Sequence, residues 1–69
     1  MNIIGRDIIL LPYDGKDPIK ELGTDLGVVT GQEIFNGEKY YEVMLSTGEQ
    51  IYVEPDHCKL FDPNEHKKV

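Results

Sequence analysis

The sequence predicts a mainly β domain, five short strands wound into a small barrel, with a long first loop that has room for one helical turn. Three observations predict it. Lys39 to Ser46 and Glu49 to Glu54 alternate apolar and polar residues, the period-2 pattern of a half-buried strand. Asn36-Gly37 and Thr47-Gly48 separate apolar runs by turn-forming pairs, and Asn-Gly accepts the positive φ values of a type I′ hairpin at little cost. The chain has 69 residues and one cysteine, so its core is marginal and no internal disulfide can staple it. A closed sheet that hides its own edges answers both constraints.

Taken in order, Met1 to Arg6 is an extended lead-in. Asp7 to Pro12 (DIILLP) holds four consecutive apolar residues ended by proline, which reads as a short strand before it reads as a helix. Tyr13 to Leu26 is the longest irregular stretch. Within it DPIKELG has the order of a miniature helix: Asp17 to cap, Pro18 at the first helical position and Gly23 to end it. One turn is unstable alone, so Ile19 and Leu22 are expected to pack onto the sheet. Gly27 to Phe35 is the second strand, with Gly31 marking a bulge or bend.

Lys39 to Ser46 follows the Asn36-Gly37 turn, with Tyr41, Val43 and Leu45 facing the core and Tyr40, Glu42 and Met44 facing out. After Thr47-Gly48, Ile51 and Val53 face in and Gln50, Tyr52 and Glu54 face out. Pro55 to Cys58 is a proline-led turn with the length of one 3-10 turn. Lys59 to Phe61 closes the domain. Residues 1–61 thus form one domain, and 62–69 (DPNEHKKV) a flexible polar tail.

Composition narrows the function. Thirteen acidic against seven basic side chains give a formal charge of −6, with the bases scattered. Such a field repels nucleic acid. No apolar run approaches the ~18 residues of a membrane span, and Arg6 and Asp7 interrupt the only N-terminal apolar stretch. The single cysteine fits a reducing compartment, so a cytoplasmic protein is expected.

The order of elements resembles an SH3-like barrel from Asp7 to Phe61. LLPYDG (Leu10 to Gly15) is similar to the family's ALYDY segment. Lys39-Tyr40-Tyr41 falls where a pair of tryptophans is usual, and YVEPDHCKL (Tyr52 to Leu60) resembles the closing YVPSNYVKL. The resemblance implies a peptide groove using Tyr13, Tyr40 and Pro55, with Asp14 and Asp17 offering charge to a basic peptide. The chain departs from the pattern in having no tryptophan, in placing Cys58 where a groove tyrosine would stand, and in carrying Glu54 as an extra residue before the proline. LGTDLGVV and STGEQIYV are similar to the KOW, Tudor and CarD-like branch, which implies attachment to a ribosome, RNA polymerase or nucleic acid.

No constellation carries chemistry. His57, Cys58 and His66 lack the paired spacing of a zinc site, and adjacent side chains point apart. His57 and Cys58 have no identifiable orienting acid, and glycine-rich phosphate loops are absent. No catalytic residue, metal or cofactor is therefore expected. The remaining surface with a claim to function is Tyr40, Tyr52 and Met44, in the outward phase of adjacent strands. It is expected to form either one exposed apolar patch rimmed by Glu42, Gln50 and Glu54, or a stabilising cross-strand pair half covered by the long loop or the tail. The expected role is that of a non-catalytic protein-binding module with a basic partner. Its size also suits a small phage or mobile-element protein acting on a host factor. The alternative is a KOW-like factor.

Overall fold

The computed structural model describes residues 3–66, with side chains through Asn64. The elements are β1 (Asp7–Leu10), α1 (Pro18–Leu22), β2 (Leu26–Phe35), β3 (Glu38–Leu45), β4 (Gln50–Val53), a 3-10 turn (Pro55–His57), β5 (Cys58–Leu60) and α2 (Pro63–His66). The strands form one antiparallel sheet in the order β4-β3-β2-β1-β5.

The expected closure is not found. β4 and β5 are the two edges of an open sheet and do not pair with each other. The physical reason lies in the connection between them. After Val53 the chain leaves the extended conformation, the His57 N–H returns to the Glu54 carbonyl at 2.9 Å, and the 3-10 turn takes up the residues that would otherwise prolong β4. β4 and β5 are then only four and three residues long.

The core lies on one face of this curved sheet. Ile8, Leu10, Val29, Val43, Leu45, Val53 and Cys58 are buried, with Ile3, Leu22, Tyr41, Ile51 and Leu60 packed against them. The alternation in β3 and β4 therefore has the expected phase, although Tyr41 and Ile51 are only half-buried. Turn chemistry also follows the sequence: Asn36 and Gly37 have φ of 51° and 80°, the pair of positive values that a type I′ turn requires.

The expected bulge falls between Val29 and Gly31, where the β2–β3 register shifts. It has a long-range consequence. Val29 faces the core opposite Val43, but beyond the extra residue Gly31 stands opposite the outward-facing Glu42. Glu33 and Phe35 follow Gly31 onto the outer face, opposite Tyr40 and Glu38.

The first loop is more ordered than an irregular stretch. Asp14 and Gly15 have φ of 50° and 74°, and Tyr13 and Lys16 bridge across them through two backbone hydrogen bonds of 3.3 and 2.8 Å. This is a miniature hairpin. The helical turn also forms. Asp17 Oδ1 accepts the Ile19 N–H at 3.0 Å, Pro18 occupies the first position, and Gly23 ends the turn at φ 82°. The expected packing is half met: Leu22 lies on the core, but Ile19 faces solvent and Pro18 takes the buried place. At the other end, Asp62 Oδ1 accepts the Asn64 N–H at 2.9 Å and opens α2, within the segment expected to be a tail. Residues 67–69 of that segment lie outside the described residues.

Candidate functional site

The open side of β4 faces the first loop across a cleft of about 350 Å³. Tyr13, Lys16, Pro18, Glu21 and Leu22 form one wall. Tyr40, Ile51, Tyr52, Val53 and Glu54 form the other, and His57 closes one end. Leu10 and Leu11 add an apolar part to the lining. Its volume is near the lower limit of small-ligand pockets, enough for a few side chains.

Tyr13 and His57 are stacked, with ring centroids 3.9 Å apart and planes 6° from parallel. His57 Nδ1 lies 3.3 Å from Glu54 Oε2, a contact at the edge of the imidazole ring. His57, and not Cys58, therefore lines the cleft. Cys58 points the opposite way, into the core, where its Sγ–H donates to the carbonyls of Pro55 and Glu54 at 3.8 and 4.0 Å. Burial pushes the Cys58 thiol above its usual pKa, so it is held neutral and away from the cleft.

The outer face of β4 carries an aromatic cluster. Phe35 packs edge-on against Tyr40 at 6.1 Å and against Tyr52 at 6.3 Å, so it joins two tyrosines that sit diagonally across β3 and β4. Perpendicular contacts at this distance are the favoured geometry of aromatic pairs. Phe35 and Tyr52 remain 54% and 52% exposed, which leaves ring faces free for a partner.

Carboxylates surround the rings. Tyr40 Oη–H donates to Glu38 Oε2 at 3.0 Å, and Tyr52 Oη lies 3.5 Å from Glu42 Oε2. Glu42 is fixed in turn by Thr30, whose hydroxyl donates to Glu42 Oε1 at 2.9 Å. The hydrogen bond to Glu38, with the Glu38 charge, desolvation and the Glu54 charge, raises the Tyr40 pKa. Desolvation raises that of Tyr52, with the charges of Glu42 and Glu33 adding to it. Both phenols thus register the negative potential of the face.

A folded-state pKa above the unfolded value, about 10 for tyrosine, means that the protonated phenol stabilises the fold below that pH. The contribution is lost as pH rises through the raised value. Glu38→Gln is expected to lower the ionisation midpoint of one tyrosine in a phenolate absorbance titration and leave the others in place. An unchanged titration would show that Glu38 does not set the potential at Tyr40.

The sequence-predicted residues separate into three groups. Tyr13, Tyr40 and Tyr52 meet at the cleft. Asp14, Asp17 and Pro55 do structural work beside it: Asp14 in the hairpin turn, Asp17 as the α1 cap, and Pro55 at the start of the 3-10 turn. Met44 belongs elsewhere. It lines a second, mainly apolar hollow with Leu26, Val28 and Phe61, and Glu42 stands between it and the tyrosines along β3. The single patch expected from the outward phase is therefore two. Phe35 and His57 are the members that sequence reasoning missed. For Phe35, the signal was the bulge before Gly31 carried forward four residues along β2.

Among the described residues no three His, Cys, Asp or Glu side chains converge as metal ligands, and no helix is long and apolar enough to cross a membrane. The His66 side chain lies outside the described residues. No protein-family model, curated protein or solved structure matches the chain.

Proposed function

We propose that the chain is a non-catalytic, SH3-like binding module that holds a basic segment of another protein on the Phe35, Tyr40 and Tyr52 face. The strand order, the long first loop and the one-turn helix between the last two strands support the SH3-like reading. The observation that carries the function is the aromatic cluster set among Glu33, Glu38, Glu42 and Glu54. Exposed rings attract a guanidinium or ammonium by their quadrupole. Carboxylates at their rim add charge-assisted hydrogen bonds and long-range steering. The same field works against nucleic acid, which would bring phosphates to a surface already negative.

Selection of random displayed peptides on the immobilised domain tests this. Enriched sequences are expected to contain arginine or lysine and to release as salt is raised. Tyr40→Ala with Tyr52→Ala is expected to weaken them about tenfold, since each ring contributes about 0.5–1 kcal/mol at an exposed cation–π contact and more when desolvated. Enriched peptides without basic residues, or undiminished binding by the folded double variant, would overturn the reading.

A further inference from the structure

We infer that the basic segment binds as an added strand on the free edge of β4, with its cationic side chains on the Tyr52 face and the alternate side chains on the Ile51 and Val53 side of the cleft. This rests on the basic-partner reading above and adds the mode of binding and the pattern of the ligand.

The geometry comes from the ladder. The Leu45 N–H donates to the Glu49 carbonyl at 2.8 Å, which makes that pair hydrogen-bonded. Antiparallel pairing alternates, so Val43 with Ile51 and Tyr41 with Val53 are the next hydrogen-bonded pairs. The backbone groups of Ile51 and Val53 are thereby turned towards β3. Those of Gln50 and Tyr52 are turned away from it, and among the described residues no strand pairs with them. An edge of this kind is a template for another extended chain.

The two edges are not equivalent. β5 carries Lys59 and lies far from the aromatic cluster in strand order. β4 carries Tyr52, is followed by Glu54, and opens onto the cleft. A chain added antiparallel, as in every pair of this sheet, places one residue directly opposite Tyr52. That residue exchanges both backbone hydrogen bonds with Tyr52 and points its side chain to the same face. There it meets the rings and Glu42, so arginine or lysine is the complementary choice. The residues before and after it point to the opposite face, towards Ile51, Val53 and Leu10 at the cleft, where an aliphatic side chain fits. The ligand is thus an extended segment in which basic and aliphatic residues alternate. This pattern differs from a polyproline helix, which pairs with no sheet edge.

The pattern makes the test specific to the backbone, because the change that decides it is made in the peptide. The probe is the synthetic peptide acetyl-Val-Arg-Val-Arg-Val-amide, in the parent form, N-methylated at both arginines, or N-methylated at the central valine. Arginine N-methylation removes the N–H groups that face β4 and is expected to weaken binding about tenfold or more. Valine N-methylation removes an N–H that faces away and leaves affinity nearly unchanged. The Tyr52 amide is expected to exchange more slowly with solvent in the parent complex. If both methylated peptides bind as the parent does, and the Tyr40→Ala, Tyr52→Ala variant loses all three, strand addition is overturned while the basic-partner reading stands. If the parent fails to bind at low salt, strand addition is overturned too. The basic-partner reading then falls only if displayed peptides also enrich without basic residues.

Discussion

Ile8→Ala is expected to leave little or no folded protein at room temperature. Ile8 is 0% exposed and sits on β1, paired with Gly27 on one side and Leu60 on the other. Truncating a buried isoleucine to alanine costs about 2–5 kcal/mol, more where the surroundings cannot collapse into the space. Here they are poorly placed to do so, because the β2 residue opposite is a glycine with no side chain to move. A single core of this size supplies only about 3–5 kcal/mol in total, so one substitution removes most of it. Urea unfolding followed by circular dichroism provides the measurement. The wild type is expected to unfold cooperatively, whereas the variant shows a midpoint lowered by more than about 1 M or no transition. Ile19→Ala, which truncates the same side chain where it is 55% exposed, should change stability by less than about 0.5 kcal/mol. Equal losses at the two positions would mean that the core is not centred on β1.

How far the sequence disclosed this arrangement depends on the range over which each feature is decided. The phase of β3 and β4 is a local property, written in the alternation of Tyr41, Val43 and Leu45, and the structure has that phase. The type I′ turn at Asn36-Gly37 is equally local. Closure is not local. Whether the first and last strands bring the sheet round to β4 depends on how far β4 extends before the 3-10 turn, and nothing in Tyr52 to Pro55 alone decides it. Asp14-Gly15 is a hairpin turn of the same chemistry as Asn36-Gly37. It escapes a search for alternating flanks because the strands it joins are one residue each, Tyr13 and Lys16. Ile19 and Pro18 were exchanged for a related reason: a single helical turn has too few residues to define an apolar face.

The site was legible in its tyrosines and not in its boundaries. Tyr40 and Tyr52 share an outward phase, so their common face follows from period 2. Their grouping with Met44 placed Glu42 at the rim, whereas it occupies the outward position between Tyr40 and Met44 and is anchored by Thr30. Phe35 required two steps, a bulge and then its propagation. Without the bulge Phe35 would share the inward phase of Val29, and the aromatic cluster would not exist.

The bulged strand also supplies the second large effect. Gly27→Ala is expected to destabilise the domain by about 1–3 kcal/mol, although alanine is the better strand residue and removes unfolded-state freedom worth about 0.4–1 kcal/mol. A Cβ at position 27 would lie 2.6 Å from Val43 Cγ1 and 3.0 Å from the Met44 carbonyl oxygen. Val43 is fully buried and β-branched, so its methyl group has no free rotamer to retreat into. The backbone oxygen is held in the β2–β3 ladder. Overpacking therefore outweighs the entropic gain. A double-mutant cycle separates the two contacts. Val43→Ala removes the closer one, so Gly27→Ala should cost less in the Val43→Ala background than in the wild type, with a coupling of about 0.5 kcal/mol or more. The remaining cost measures the approach to the Met44 carbonyl, which no side-chain change relieves. If Gly27→Ala costs the same in both backgrounds, the Val43 contact is not the source of the strain. If it stabilises the wild type, β2 and β3 are further apart at this pair than 2.6 Å allows.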